Sequence, residues 1–113
     1  MKLEQIVATL GCEPLVRLDC AMDIDAVVAS DGMSEILAFS RPGALMLTGL
    51  TNIQSVRTAV VADVHAIIYV RGKRPSEAVL ELAREKGIPV FLTQRGMFDS
   101  CGILYSAGLK GAM

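Results

Sequence analysis

Polar side chains follow each of four apolar runs in this sequence. The runs occupy residues 26–29, 44–47, 66–70 and 89–92, and the candidate ligand-binding residues after them are Ser30, Asp31, Thr48, Thr51, Asn52, Arg71, Lys73, Arg74 and Thr93. Three of these residues are cations and one is a carboxylate. Arginine forks, ammonium groups, hydroxyls and the amides at helix starts are groups that bind phosphates and similar anions. If the four runs end at one edge of a sheet, we expect an anion site there.

The four runs are typical of strands buried on both faces of a sheet, because they are apolar throughout and lack alternation. A weaker fifth strand is predicted in residues 13–18. The apolar positions of the predicted helices are Leu3, Ile6, Val7 and Leu10, then Met33, Ile36 and Leu37, then Ile53, Val56 and Val60, then Val79, Leu82 and Ala83, and finally Met97, Cys101 and Leu104. Strand–helix alternation predicts an α/β fold with a mostly parallel sheet of about five strands flanked by helices. Ligands of such sheets bind outside the carboxyl ends of the strands.

Several of the polar residues also have a local structural interpretation. Thr51 and Gln54 have the spacing of a capping box at a helix start. Gly49 permits a backbone conformation that a β-branched residue cannot adopt. Asp31 has the position of an N-cap for the helix through Met33. These residues can serve the fold alone, so both interpretations stay open at this point.

Arg57 lies within the apolar arc of its predicted helix. At about 100° per residue it falls about 40° from Ile53, between Val60 and Val61. An arginine there must extend to solvent, contact a ligand, find a carboxylate or enter an interface. We expect a structural ion pair, with Asp31 or Asp63 as the partner, or a contact with a second subunit.

The sequence contains no recognisable catalytic constellation. His65 is the one histidine and precedes a strand, at the end opposite the polar residues. Cys12, Cys20 and Cys101 have neither metal-ligand nor CxxC spacing. No GxxxxGK[ST] loop and no GxGxxG fingerprint is present. We therefore expect no enzymatic activity, no bound metal and no cofactor.

Composition limits the classes of function further. The hydrophobic fraction is 52%, which suggests a sheet covered on both faces or a surface buried in a homodimer. A formal charge of -1 and the absence of Trp argue against a nucleic-acid partner. No apolar run approaches the ~20 residues that span a bilayer, and the amino terminus is a poor signal peptide. We expect one domain over residues 1–113 and a cytoplasmic location, where unpaired cysteines persist.

Five stretches of the chain resemble stand-alone members of the DRTGG domain family. They are VVASDGMSEILAF, GALMLTGLTNIQSVRTAVVAD, AIIYVRGKRP, AREKGIPVFLT and MFDSCGILYSAGL. The resemblance extends from the first helix to Leu109, in order and with the family's spacing. It rests mainly on TGLTN-Q--RTA--AD and VRGKRP, because the letters DRTGG do not occur as a contiguous motif here.

The resemblance implies a three-layer α/β/α fold similar to the amino-terminal, non-catalytic domain of HPr kinase/phosphorylase. Family domains accompany CBS domains in regulatory pyrophosphatases, and small members tend to be encoded near iron hydrogenase or redox-complex subunits. Membership implies no enzymatic activity. It does favour a homodimer.

Three hypotheses about function follow. The first is a non-catalytic, ligand-sensing regulatory domain, homodimeric, that binds an anion such as an adenine nucleotide and acts on a partner protein. The second is a purely structural interaction module of a redox or hydrogenase-type complex. The third is a small enzyme acting on a phosphorylated metabolite, for which Asp31 is the one obvious general base. We favour the first.

Overall fold

The computed structural model describes residues 1–112, which form five helices and six strands. The helices are α1 (Leu3–Leu10), α2 (Met33–Phe39), α3 (Ile53–Val61), α4 (Glu77–Lys86) and α5 (Met97–Ser106). The strands are β1 (Glu13–Val16), β2 (Ala26–Ala29), β3 (Leu45–Thr48), β4 (Ala66–Tyr69), β5 (Val90–Leu92) and β6 (Lys110–Gly111). Every predicted helix and strand is present.

The strands form one sheet in the order β1-β5-β4-β3-β2-β6. The pairs among β2, β3, β4, β5 and β6 are parallel, and β1 pairs antiparallel with β5. The prediction of a mostly parallel α/β sheet is confirmed. The strand β6 was not predicted, since its two residues carry no apolar pattern and are held by pairing with Ala26 and Val27.

Helices cover the sheet on two sides. The core on one side joins buried residues of α2, α3 and α4 to alternate sheet residues such as Met46 and Ile67. The core on the other side joins α1 and α5 to the intervening sheet residues, such as Leu47 and Ile68. The three-layer α/β/α arrangement is confirmed.

The central strands β3 and β4 are buried along their whole length. Predicted burial on both faces is wrong for β2, where Val27 and Ala29 are only half-buried. The cause is the strand's place in the sheet. Its outer neighbour β6 pairs with only two of its residues, so the end of β2 has no strand beside it.

The start of α3 differs by one residue from the predicted capping box. The N-cap is Asn52, whose Oδ1 accepts a hydrogen bond from Ser55 N at 3.1 Å. Ser55 Oγ in turn donates to the Asn52 carbonyl at 2.6 Å. The prediction of a Thr51–Gln54 box is therefore wrong. Asn competes at N-caps as well as Thr does, and the sequence offers both residues side by side.

No helix within the described range combines the length and the apolar character that crossing a bilayer requires.

Candidate functional site

The parallel strands bring the loops after β2, β3, β4 and β5 to one edge of the sheet. Within these loops Ser30, Asp31, Thr48, Gly49 and Arg71 form a group that we call the strand-end cluster. The predicted convergence of polar residues at the carboxyl ends of the strands is therefore seen for part of the predicted set.

Asp31 joins the loop after β2 to the loop after β3. Its Oδ1 accepts hydrogen bonds from Gly49 N at 2.7 Å and from Thr48 Oγ1 at 3.1 Å. The N-cap residue of α2 is Gly32, with no side-chain capping bond. The predicted role of Asp31 as the N-cap of this helix is thus wrong, because the carboxylate instead takes two donors from the neighbouring strand.

Arg71 places its guanidinium directly on Gly49. A Cβ at Gly49 would lie 2.6 Å from Nη1 of Arg71 and 2.8 Å from Nη2. Nη1 also lies 4.0 Å from Oδ2 of Asp31, with the two side chains 51% and 52% exposed. Gly49 does not have a positive φ, so the backbone reason predicted for this glycine is wrong. The guanidinium of Arg71 instead occupies the space that a side chain at this position would take.

The backbone of Arg71 is held in an unfavourable conformation. Its φ is 62° and that of Gly72 is 65°, a pair of left-handed residues as in a type I′ turn. Two hydrogen bonds to the loop after β5 support the turn, from Arg71 N to the Arg95 carbonyl at 2.8 Å and from Gly72 N to the Thr93 carbonyl at 2.9 Å. Left-handed backbone at a non-glycine residue costs ~1–2 kcal/mol and is concentrated at functional sites.

Ser30 and Gln94 complete the surroundings of the cluster. Ser30 Oγ accepts from Gly32 N at 2.9 Å and lies 3.3 Å from Glu35 Oε1. The Gln94 side chain packs on Gly72. The predicted set did not include Gln94, although it directly follows the predicted residue Thr93.

Three of the predicted ligand residues are engaged elsewhere. Both oxygens of Glu13 accept from Arg74 Nη2 at 2.7 Å, which ties the entry loop of α4 to β1. Thr93 Oγ1 is buried and donates to the Leu10 carbonyl at 2.9 Å. Asn52 caps α3. Each of these side chains has a structural partner.

Thr51 and Lys73 lie in the same loops without such partners. Neither side chain forms a hydrogen bond or an ion pair within residues 1–112, and Lys73 is exposed. Lys73 N donates to the Val70 carbonyl at 3.3 Å and closes the turn that carries Arg71. Lys73 thus lies two residues after Arg71 in the same turn, with its side chain exposed.

Arg57 is exposed and takes part in none of the ion pairs among the described residues. The expected pairing with Asp31 or Asp63 within one chain is therefore not made. Asp31 lies near Arg71 instead, and Asp63 occupies a left-handed turn position with φ 55°, where its carbonyl accepts from Gly43 N at 2.8 Å. The contact with a second subunit stays a prediction.

The three cysteine thiols are not activated as nucleophiles. Burial raises the pKa of Cys12 to about 11 and also raises the pKa values of Cys20 and Cys101. Thiols with such pKa values stay protonated near neutral pH and are poor nucleophiles. Within the range that the structure describes, no three His, Cys, Asp or Glu side chains come together as metal ligands.

Three clefts are prominent on residues 1–112, and none is lined by the cluster. One of about 260 Å³ lies between β2, β6 and α5, and one of about 360 Å³ lies at the amino ends of the strands, beside His65. The third, of about 320 Å³, lies between α3 and α4 and includes Arg57. The cluster itself combines the half-exposed charged side chains of Asp31 and Arg71 with the buried residues Thr48 and Gly49.

Residues 5–107 match the family model of the DRTGG domain. The chain belongs to the DRTGG domain family. This DRTGG domain is also similar in structure to the CBS and DRTGG domains of the regulatory region of Clostridium perfringens pyrophosphatase, solved in complex with its activator, diadenosine tetraphosphate. The TM-score is 0.71 at 20% sequence identity, over 91% of this chain.

The DRTGG domain described here spans 45% of the length of that pyrophosphatase chain. At this level of identity the likeness shows a shared fold. No curated protein sequence matches this one.

Proposed function

We propose that this DRTGG domain is a non-catalytic, ligand-sensing regulatory domain. Its ligand is an adenine nucleotide or a similar phosphorylated metabolite, bound at the strand-end cluster, and it acts on a partner protein as a homodimer. The observation that carries the proposal is the half-exposed guanidinium of Arg71, supported on a left-handed turn at the carboxyl edge of the sheet. The nucleotide activator of the structurally similar pyrophosphatase region supports the choice of ligand.

The charges around Arg71 favour binding over chemistry. Arg71 and Lys73 contribute two positive charges, and an arginine fork can bind a phosphate bidentately. Asp31 already accepts two hydrogen bonds and faces Arg71. The Asp31 carboxylate, which is the one obvious general base, is thus already engaged in joining the loop after β2 to the loop after β3.

The structural interaction module is the second candidate. It is favoured by exposed aromatic and aliphatic side chains, among them Phe98 at 88% and Tyr105 at 76% exposure. A protein partner among hydrogenase or redox-complex subunits stays a prediction from the family resemblance. The two candidates differ in whether the isolated domain binds a small anion.

Calorimetric titration tests the proposal. ATP, ADP, AMP, diadenosine tetraphosphate and inorganic phosphate are titrated into the wild type and into the Arg71→Ala, Lys73→Ala double variant. We expect at least one nucleotide to bind the wild type and to lose about tenfold or more in affinity in the double variant, since charge-assisted hydrogen bonds contribute about 1.5–3 kcal/mol each.

Arg74→Ala is the matched control, because it removes a neighbouring cation that is already paired with Glu13. The Arg74→Ala variant should bind the nucleotide with the same affinity as the wild type. Equal affinity in the wild type and the double variant would place the site elsewhere. If the wild type binds none of these anions, the interaction module becomes the better account.

A further inference from the structure

The outer face of α3 is unusual for a surface helix. Val61 is 74% exposed and Val60 is 40% exposed, and Arg57 lies one turn before them on the same side. A solvated helix face normally carries several charged residues, yet Arg57 is the one charge in α3. Apolar side chains around an unpaired arginine are typical of a surface that another protein covers.

The neighbouring helix supplies charges of the opposite sign. Glu81 and Glu85 of α4 line the cleft between α3 and α4, together with Arg57. Neither glutamate forms an ion pair within the described residues, where the one ion pair of α4 joins Glu77 and Arg84. Arg57 and the two glutamates thus share a cleft without coming within ion-pair distance of each other.

We propose that this α3–α4 face is the interface of a two-fold homodimer, in which Arg57 of each copy pairs with Glu81 and Glu85 of the partner subunit. The inference deepens the proposed function, since it rests on the homodimer proposed there and assigns its surface. In a two-fold interface, residue i meets residue j and j meets i. A face that carries a cation on one helix and carboxylates on the next can therefore pair with the same face of a second copy. The two-fold rotation then forms each ion pair twice, once from each subunit.

The apolar surface of this layer can sustain such a contact. Phe39 and Leu37 of α2, which lies in the same helical layer, are 57% and 46% exposed. A standard interface buries about 800 Å² per partner, and one side of a molecule measuring 34 × 28 × 25 Å offers an area of this order. The opposite layer also exposes Phe98 and Tyr105 on α5, but the sole charge of that helix is Asp99. Within α5 there is therefore no set of a cation and carboxylates like the one that Arg57, Glu81 and Glu85 form on the α3–α4 face.

A charge swap tests the interface. We compare Arg57→Glu, the double variant Glu81→Lys, Glu85→Lys, and the wild type by light scattering and sedimentation over a concentration series. Each variant places like charges opposite one another at both symmetric positions. We expect each to raise the dimer dissociation constant by about 100-fold or more, since like-charge contacts across an interface cost several kcal/mol.

Mixing the two variants gives the decisive measurement. The glutamate introduced at position 57 of one variant then faces the two lysines introduced on α4 of the other. The native arginine of the second variant faces the native glutamates of the first, so both charge contacts are attractive. We expect heterodimers with an affinity within about tenfold of the wild type. Simple loss of folding or of surface packing would not produce this rescue.

Lys110→Glu is the matched control, because it reverses a charge on β6, the strand at one edge of the sheet. This variant should leave the dimer dissociation constant unchanged. If both charge variants still form dimers, the assignment of the interface to the α3–α4 face is wrong, while the homodimer itself stands. Loss of the dimer in Phe98→Ser instead would move the interface to α5. If the wild type is monomeric at every concentration, both the assigned face and the homodimer of the proposed function are wrong. Nucleotide binding by the domain is tested independently by the calorimetric titration.

Discussion

At the scale of single residues, Gly49 and Gly72 are both close to side chains of other loops, for different reasons. The three atoms nearest to a Cβ at Gly49 all belong to the flexible end of Arg71, the nearest at 2.6 Å. A Cβ at Gly72 would clash with Oε1 of Gln94 and would also sit on a left-handed backbone with φ 65°. The first contact can be relieved by moving one guanidinium, whereas the second combines a clash with backbone strain.

We therefore predict different outcomes for two alanine substitutions. Gly49→Ala should change the free energy of unfolding by less than about 0.5 kcal/mol, because the arginine can move, but it should displace Arg71 and alter nucleotide affinity. Gly72→Ala should destabilise by about 1–2 kcal/mol, because alanine disfavours positive φ. Urea unfolding measures both. Equal destabilisation by the two would show that the guanidinium cannot move.

At the scale of elements, the start of α3 distinguishes two side chains that the sequence presents as equivalent. Asn52 accepts from Ser55 N, while Thr51 forms no side-chain hydrogen bond within the described part of the chain. The N-cap hydrogen bond satisfies one of the four unpaired amides at the helix start. Only the residue in the cap position can supply it.

Asn52→Ala should destabilise the protein by about 1 kcal/mol, the usual cost of losing an N-cap. Thr51→Ala is the matched control and should change stability by less than about 0.5 kcal/mol. Thermal or urea unfolding of the two variants provides the comparison. A larger effect at Thr51 than at Asn52 would restore the capping box predicted from the sequence.

At the scale of the whole molecule, the sheet order predicts a gradient of protection. The strands β3 and β4 lie at the centre, with helices on both faces, and all their residues are buried. Both residues of β6 are exposed at an edge. Local opening ranges from about zero free energy at frayed edges to the global value in core strands.

Native-state hydrogen exchange should follow this order. Amides of Leu45–Thr48 and Ala66–Tyr69 should exchange only through global unfolding, with opening free energies of about 5–15 kcal/mol. Amides of β6 should exchange with little protection. In a dimer formed through the α3–α4 face, β6 stays exposed, so protection of β6 that rises with protein concentration would argue for an edge-to-edge dimer instead.

The sequence by itself determined the class of the fold and every element except β6. A strand covered on both faces must be apolar at every position, so residues 44–47 and 66–70 are visible in the sequence without any knowledge of their neighbours. Helices with one buried face show the 3.6-residue period, as Leu3, Ile6 and Leu10 do on the buried face of α1. These signals are local, since they depend on the periods of adjacent residues.

Only the tertiary structure decided which polar side chains meet. Asp31 binds donors 17 and 18 residues away instead of capping its own helix. Arg74 donates a hydrogen bond to Glu13, 61 residues away, instead of joining the predicted site. Arg57, which the helical wheel places between Val60 and Val61, faces outward because these two valines are themselves on the exposed side of α3. Such contacts depend on strand order and on which layer a helix joins, and neither is encoded in the spacing of adjacent residues.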